Sequence, residues 1–324
     1  MRSIPTRLMS RILSLVAATS GLAALVASNT YGSELNTLTE AEKTAEQTLR
    51  LELRRRTERP GGDGKSRVVR QTVEWDAAKT AVIICDMWDD HTCKGAADRV
   101  AEMAPALNRT VNAARDKGVL VIHAPSGTMS AYKNTPQRRR AIDAPFAAAP
   151  VKIKWNHWDP KREGPPLDFL RGGGCGCMEP CSGWVADEQG TRQWNGGKRP
   201  WTRQIDTIEI EPQDAVSDNG QEIYNLMQQR GIDNVILMGV HTNICVSGRP
   251  FGLRQMVYFG KNVVLCRDLT DSFFQPKSPG FSHFRGTERV VEHIEKHLCP
   301  TIRSTSITGE PTFRFKDDKA GHLR

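Results

Sequence analysis

The chain has 324 residues, a formal charge of +8, 38% hydrophobic and 25% charged residues. That is enough apolar chain for a large core, and the charges are mixed in sign along it. The Arg138-Arg139-Arg140 run reads as a solvated face, and no nucleic-acid-binding motif is present, so no nucleic-acid partner is expected.

The first elements are not those of the folded domain. Arg2, Arg7 and Arg11 precede an apolar run from Ile12 to Ala27, and Val26-Ala27-Ser28 supplies small residues at its end. This is the pattern of a secretory signal peptide, taken as residues 1–28. The run is shorter than the roughly 20 residues that a bilayer span needs, and no later segment is apolar enough. The expectation is an exported chain, periplasmic or secreted, with no stable membrane span after cleavage. Residues 29–77 read as a charged N-terminal arm, with helical spacing from Arg50 to Arg56 and a break at Pro60-Gly61-Gly62-Asp63-Gly64.

Residues 78–324 read as the main domain. Ala81 to Cys85 is a continuous apolar run ending at Asp86, which fits a strand buried on both faces. Ala97 to Lys117 has helical periodicity, with Val100, Met103, Ala104, Leu107, Val111 and Ala114 on one face. Gly118 stops it, and Val119 to Ile122 is the next strand, leading to His123. A strand, a helix and a strand in that order predict a right-handed crossover and a parallel pair.

From Ser126 to Gln204 the alternation stops. This stretch holds Trp155, Trp158, Trp184, Trp194 and Trp201, with Arg171-Gly172-Gly173-Gly174-Cys175 among them. A loop region of this length is read as an inserted lid, 126–204, or else as an ordered decoration. Alternation resumes with a strand at Ile205 to Glu211, a helix at Gly220 to Arg230 and a buried strand at Val235 to Val240. Cys245 then opens a helix running to about Val257. Val263 to Cys266 is a further strand, Gly286 to His297 a helix, and Ser306-Ile307-Thr308 an edge strand. The predicted fold class is α/β: a three-layer sandwich on a mostly parallel, Rossmann-like sheet of five to six strands. Ligands bind beyond the carboxyl ends of strands in such sheets. Asp86, His123, Cys245 and Asp268 all fall at or just past predicted strand ends, which gathers them near one rim.

Eight cysteines carry different expectations. Cys85 and Cys266 read as core, and Cys93 and Cys299 stand apart. Cys175, Cys177 and Cys181 crowd one Gly-rich loop. Three such ligands could bind zinc, but no fourth is evident, so a disulfide within the cluster is preferred over a metal; its pairing is not legible from sequence. No Cys-x-x-Cys is present to support a thiol-redox protein. Asp89-Asp90-His91 has a metal-like spacing that reads as chance, and His123 and His157 are scattered. No metal and no cofactor are expected.

Cys245, beside a predicted helix start, could have a lowered thiol pKa and N–H groups at hand for an oxyanion. Asp86 could move its proton. The residues alone leave a nucleophile and an ordinary semi-buried cysteine equally open. A resemblance changes that balance. VILMGVHTNICV, Val235 to Val246, is similar to the Gly-Val-x-Thr-x-x-Cys-Val segment of the isochorismatase-like cysteine hydrolases, a superfamily that includes nicotinamidases and N-carbamoylsarcosine amidases. TAVIICDMWDD, Thr80 to Asp90, resembles its first strand and catalytic aspartate, and NVVLCRDLTDS, Asn262 to Ser272, its segment after the nucleophile helix.

The resemblance implies that Cys245 attacks an amide-like carbonyl to form a thioester, and that Asp86 takes the thiol proton and passes it to the leaving amine. It implies a cis peptide before His241, with the backbone N–H groups of His241 and Cys245 as the oxyanion hole. It also implies a lysine where this chain has Glu211 or Ile210; Lys154, Lys198 and Arg203 are candidate replacements. The expected function is hydrolysis of a C–N bond in a small amide, ureido or carbamoyl compound. The alternative is a catalytically impaired protein that binds a small molecule or a partner in the same cleft. The expected partner is the small-molecule substrate, and a homo-oligomer is possible, as is common in the superfamily.

Overall fold

A computed structural model describes residues 47–58, 66–164, 174–177, 179–188, 190, 192–275 and 282–322. The expected signal peptide lies outside the described residues, and among those described no helix is long and apolar enough to cross a membrane.

The chain forms β1 (Thr48–Glu58) and β2 (Ser66–Asp76), then β3 (Thr80–Cys85), α1 (Lys94–Asp116) and β4 (Leu120–Ala124). Helices α2 (Pro136–Ile142) and α3 (Pro160–Glu163) and the small hairpin β5 (Trp184–Ala186) and β6 (Arg192–Trp194) lie in the insertion. Then come β7 (Ala215–Val216), α4 (Gly220–Gln229), β8 (Asn234–Val240), a π-helical turn at Thr242–Val246, and α5 (Leu253–Tyr258). The chain ends in β9 (Asn262–Asp271), α6 (His283–His297), β10 (Thr301–Ile302) and α7 (Thr305–Thr308).

The described main sheet has eight strands in the order β2-β1-β10-β9-β8-β3-β4-β7. Its pairs from β10 through β7 are parallel, and β1 is antiparallel to both neighbours. The sheet is thus mostly parallel, as expected, but wider than five or six strands. Every residue of β3, β4 and β8 is buried, so both faces of the central sheet are covered, which is what continuous apolar runs require. α1 buries the six residues that its periodicity assigned to one face.

Four expectations need correction. The helical spacing at Arg50 to Arg56 lies in strand β1, where Leu49 and Leu51 alternate with exposed residues and enter the core. A period of two outweighs charge spacing once a sheet edge is available to pair, and Arg54 pairs with Thr301 of β10. Ile205 to Glu211 forms no strand. Its backbone N–H groups bond locally or to other segments, Ile208 to Ile205, Glu209 to the Asn108 side chain and Glu211 to Asp214, and the strand is the short β7 that follows. Ser306 to Thr308 falls in the helical turn α7, and Thr301–Ile302 forms the strand instead. The helix expected from Cys245 to Val257 is a π turn, a break at Arg249 to Gly252, and α5; Pro250 has no N–H to continue it.

Candidate active site

The strand order reverses at β3. The chain leaves β3 toward β4 and β7 on one side and returns to β8 on the other. In an open parallel sheet such a reversal leaves a crevice at the strands' carboxyl ends. Asp86 follows β3 and Cys245 follows β8, its immediate neighbour, so topology alone sets them side by side. Gly239 permits the approach. Its φ is +104°, and a Cβ there would lie 2.1 Å from the Cys85 carbonyl oxygen, so no larger residue fits.

Asp86 is fully buried, with φ at +49°. One carboxylate oxygen accepts the Ser126 N–H at 2.7 Å, and the other faces Nε and Nη2 of Arg249 at 3.2 Å each. The Cys245 thiol faces the same carboxylate and the His241 backbone N–H. The Val240–His241 peptide is cis, the form that the resemblance implies. Thr242 is anchored by a 2.7 Å hydroxyl contact with Thr270, whose hydroxyl also lies 2.7 Å from the Gly239 carbonyl.

Burial raises the Asp86 carboxyl pKa, and the Arg249 charge with hydrogen bonds from Cys245 and Ser126 offsets part of that. Burial and then the Asp86 charge push the Cys245 thiol well up, against Arg249 and the His241 N–H. The expected lowering at a helix start does not occur, because the chain around Cys245 is a buried π turn beside a carboxylate rather than an open helix terminus. Burial pulls the Arg249 guanidinium down, but Asp86, Cys245 and Cys85 together outweigh it and the net shift is upward.

Above this pair lies a cavity of about 400 Å³. Cys245, Arg249, His241 and His91 line it, with Phe273 and five tryptophans. Four of those, Trp155, Trp184, Trp194 and Trp201, come from the insertion, which therefore walls the cleft. Trp88 and Trp201 stack at 4.5 Å, and Trp201 also stacks on His91 at 5.3 Å. Trp155 lies under the Arg249 guanidinium at 5.0 Å. Trp158, by contrast, is a clamp. It lies beneath Arg254, whose guanidinium grips buried Glu163 at 2.7 and 2.8 Å, and Glu163 also meets His293 at 3.0 Å.

The other sequence-picked residues are elsewhere. His123 bonds Gln204 and Asp214, both at 3.0 Å. Asp268 lies within β9 and accepts the Ser304 N–H at 2.9 Å and hydroxyl at 2.5 Å, so both are structural and neither lines the cavity. His157 stacks on Tyr258. Glu211 and Ile210 sit in the loop before β7; neither they nor Lys154, Lys198 or Arg203 line the cavity. Sequence reasoning missed Arg249, four residues after Cys245. Its spacing was the available signal: one helical turn returns a side chain to the same side.

The chain resembles isochorismatase-family cysteine hydrolases and amidases. A cysteine hydrolase from Pseudomonas syringae pv. phaseolicola 1448A is 16% identical, covering 72% of this chain and 93% of that one at a TM-score of 0.42. An isochorismatase family protein from Burkholderia thailandensis is 12% identical, with 72% and 95% covered and a TM-score of 0.38. The N-carbamoylsarcosine amidase from Thermoplasma acidophilum is 12% identical, with 70% and 96% covered and a TM-score of 0.35. No family model and no curated protein sequence matches the chain. Identities and TM-scores this low leave function to be read from the site's own atoms.

Proposed function

We propose that the protein is a cysteine hydrolase of a small, flat amide, ureido or carbamoyl compound, with Arg249 in the role that the superfamily gives to a lysine. The observation that carries this reading is the contact of one buried carboxylate, Asp86, with both the Cys245 thiol and a guanidinium, at the floor of an aromatic cavity.

With the thiol pKa raised, the nucleophile is made during attack. The Cys245 S–H proton passes to Asp86 as sulfur bonds to the carbonyl carbon. The oxyanion is held by the backbone N–H groups of His241 and Cys245. Asp86 returns the proton to the leaving nitrogen, the C–N bond breaks, and a thioester remains. In the second half Asp86 takes a proton from water as its oxygen bonds to the thioester carbon; the C–S bond breaks, the proton returns to the Cys245 sulfur, and the acid leaves. Arg249 favours the ionised form of Asp86 and compensates charge as it moves. The tryptophan faces suit a planar acyl group.

The test is ammonia release from a panel of aromatic and aliphatic primary amides and ureido acids, with intact-mass detection of an acyl adduct on Cys245. Turnover and adduct in the parent, and neither in Cys245→Ala, are expected. Tight binding of a panel compound with no turnover, and unchanged in Cys245→Ala, would favour the binding protein instead.

A further inference from the structure

The three clustered cysteines have a fourth partner that the sequence hides. Cys93, at the N-terminus of α1, lies 82 residues before Cys175, yet their sulfurs are 3.1 Å apart. Cys93 and Cys177 are 3.6 Å apart, Cys175 and Cys181 3.4 Å, and Cys181 and Cys177 3.5 Å. All four lie within 4.8 Å of one another, and none is disulfide-bonded. The expected disulfide within the loop is therefore replaced by a four-sulfur cluster.

Its dimensions are close to those of a ligand set. Four thiolates at about 2.3 Å from one zinc sit about 3.8 Å apart along the edges of a tetrahedron, close to the observed separations. The surroundings suit thiolates too. Backbone N–H groups of Lys94 and Gly95, in the first turn of α1, donate to Cys181 and Cys177 at 3.3 Å each. Gly95 lets the sulfur come close, since a Cβ there would meet Cys177 Sγ at 3.0 Å.

We infer that Cys93, Cys175, Cys177 and Cys181 hold one structural zinc ion that staples the tryptophan-rich insertion to α1. On binding, four S–H bonds release four protons to solvent and four Zn–S bonds form, with no electron transferred. All four positions are filled by protein, so the ion has no open site for substrate. Its position explains why it matters. Cys93 donates its N–H to His91, and Trp184, three residues after Cys181, donates to the Thr92 carbonyl. The staple thus fixes the hairpin whose Trp184 and Trp194 wall the cavity.

The test is elemental analysis and native mass spectrometry of the purified full chain, with thiol alkylation under non-reducing conditions. One zinc per chain is expected, with Cys93, Cys175, Cys177 and Cys181 unlabelled until a chelator strips the ion. Stripping should shift the tryptophan emission. The double variant Cys175→Ser/Cys181→Ser should lose the metal. Because that variant could fail to fold, cobalt(II) exchanged into the parent is the second measurement, and sulfur-to-cobalt charge-transfer bands with intense tetrahedral d–d bands are expected. A metal-free chain with two disulfides among the four overturns the proposal, as does stoichiometric iron in place of zinc, or zinc retained by the folded double variant.

Discussion

At the residue scale, Arg249 gives the sharpest prediction. A buried carboxylate left without its cation is costly, on the order of 3–5 kcal/mol, so Arg249→Gln should drive Asp86 toward its neutral form. The acid limb of kcat/KM should then move to higher pH, with activity reduced at least tenfold at neutral pH. Arg249→Lys keeps the charge but loses the two-point fork and the stacking on Trp155, so partial recovery is expected. A pH–rate profile of the three proteins checks this; an unmoved acid limb in Arg249→Gln would remove Arg249 from the mechanism. In the parent, the raised Asp86 carboxyl places the acid limb above the ordinary aspartate value of about 3.9.

At the element scale, the join between β3 and β8 and the clamp under the insertion are the places to probe. Gly239→Ala sets a methyl against the Cys85 carbonyl and forces a side chain onto a φ of +104°. A loss on the order of 3 kcal/mol is expected, read as a lower urea midpoint at unchanged slope. Glu163→Ala strands Arg254 and His293 in a buried site. A similar loss of stability is expected, with Trp158 fluorescence reporting release of its segment. Trp155→Ala leaves the core intact but uncovers Arg249, so the change should fall on KM and kcat and barely on the urea midpoint.

At the scale of the whole molecule, pH sensitivity follows from buried pairs that link distant segments. Although burial opposes it, Arg99 and His283 hold the Asp271 carboxyl well below the usual range. His123 and Arg115 lower the Asp214 carboxyl, and His293 and Arg254 lower that of Glu163, again against burial. Each of these carboxylates has a folded pKa below its unfolded one. Each therefore contributes stability that is complete above the unfolded value of about 4 and is lost as pH falls through the folded values. The urea midpoint should drop steeply below about pH 4, and Asp271→Asn should flatten that drop while lowering stability at neutral pH. Asp86 acts in the opposite sense: its raised pKa makes ionisation cost stability as pH rises from the unfolded value, so its acid dependence is separable.

The sequence by itself determined the central strands, the long helix after Asp86 and the parallel character of the sheet. Runs such as Ala81 to Cys85 and Val235 to Val240 are apolar throughout, and only burial on both faces accounts for that. With strand ends defined, Asp86 and Cys245 were legible as neighbours-to-be. Tertiary structure alone decided the rest, because it depends on contacts between segments far apart in the chain. Leu49 and Leu51 enter the core only because β1 finds β10 to pair with. His123 sits near a strand end and Asp268 inside β9, and they turn to Asp214 and Ser304, since buried polar groups take the nearest partner. The helix after Cys245 breaks at Pro250, which changes the thiol's surroundings from a helix terminus to a buried turn beside a carboxylate. Cys93 joins the loop cysteines across 82 residues, a pairing that no local spacing can announce. The four tryptophans of the insertion line the cavity for the same reason: what a loop covers is set by the domain it lies on, not by its own sequence.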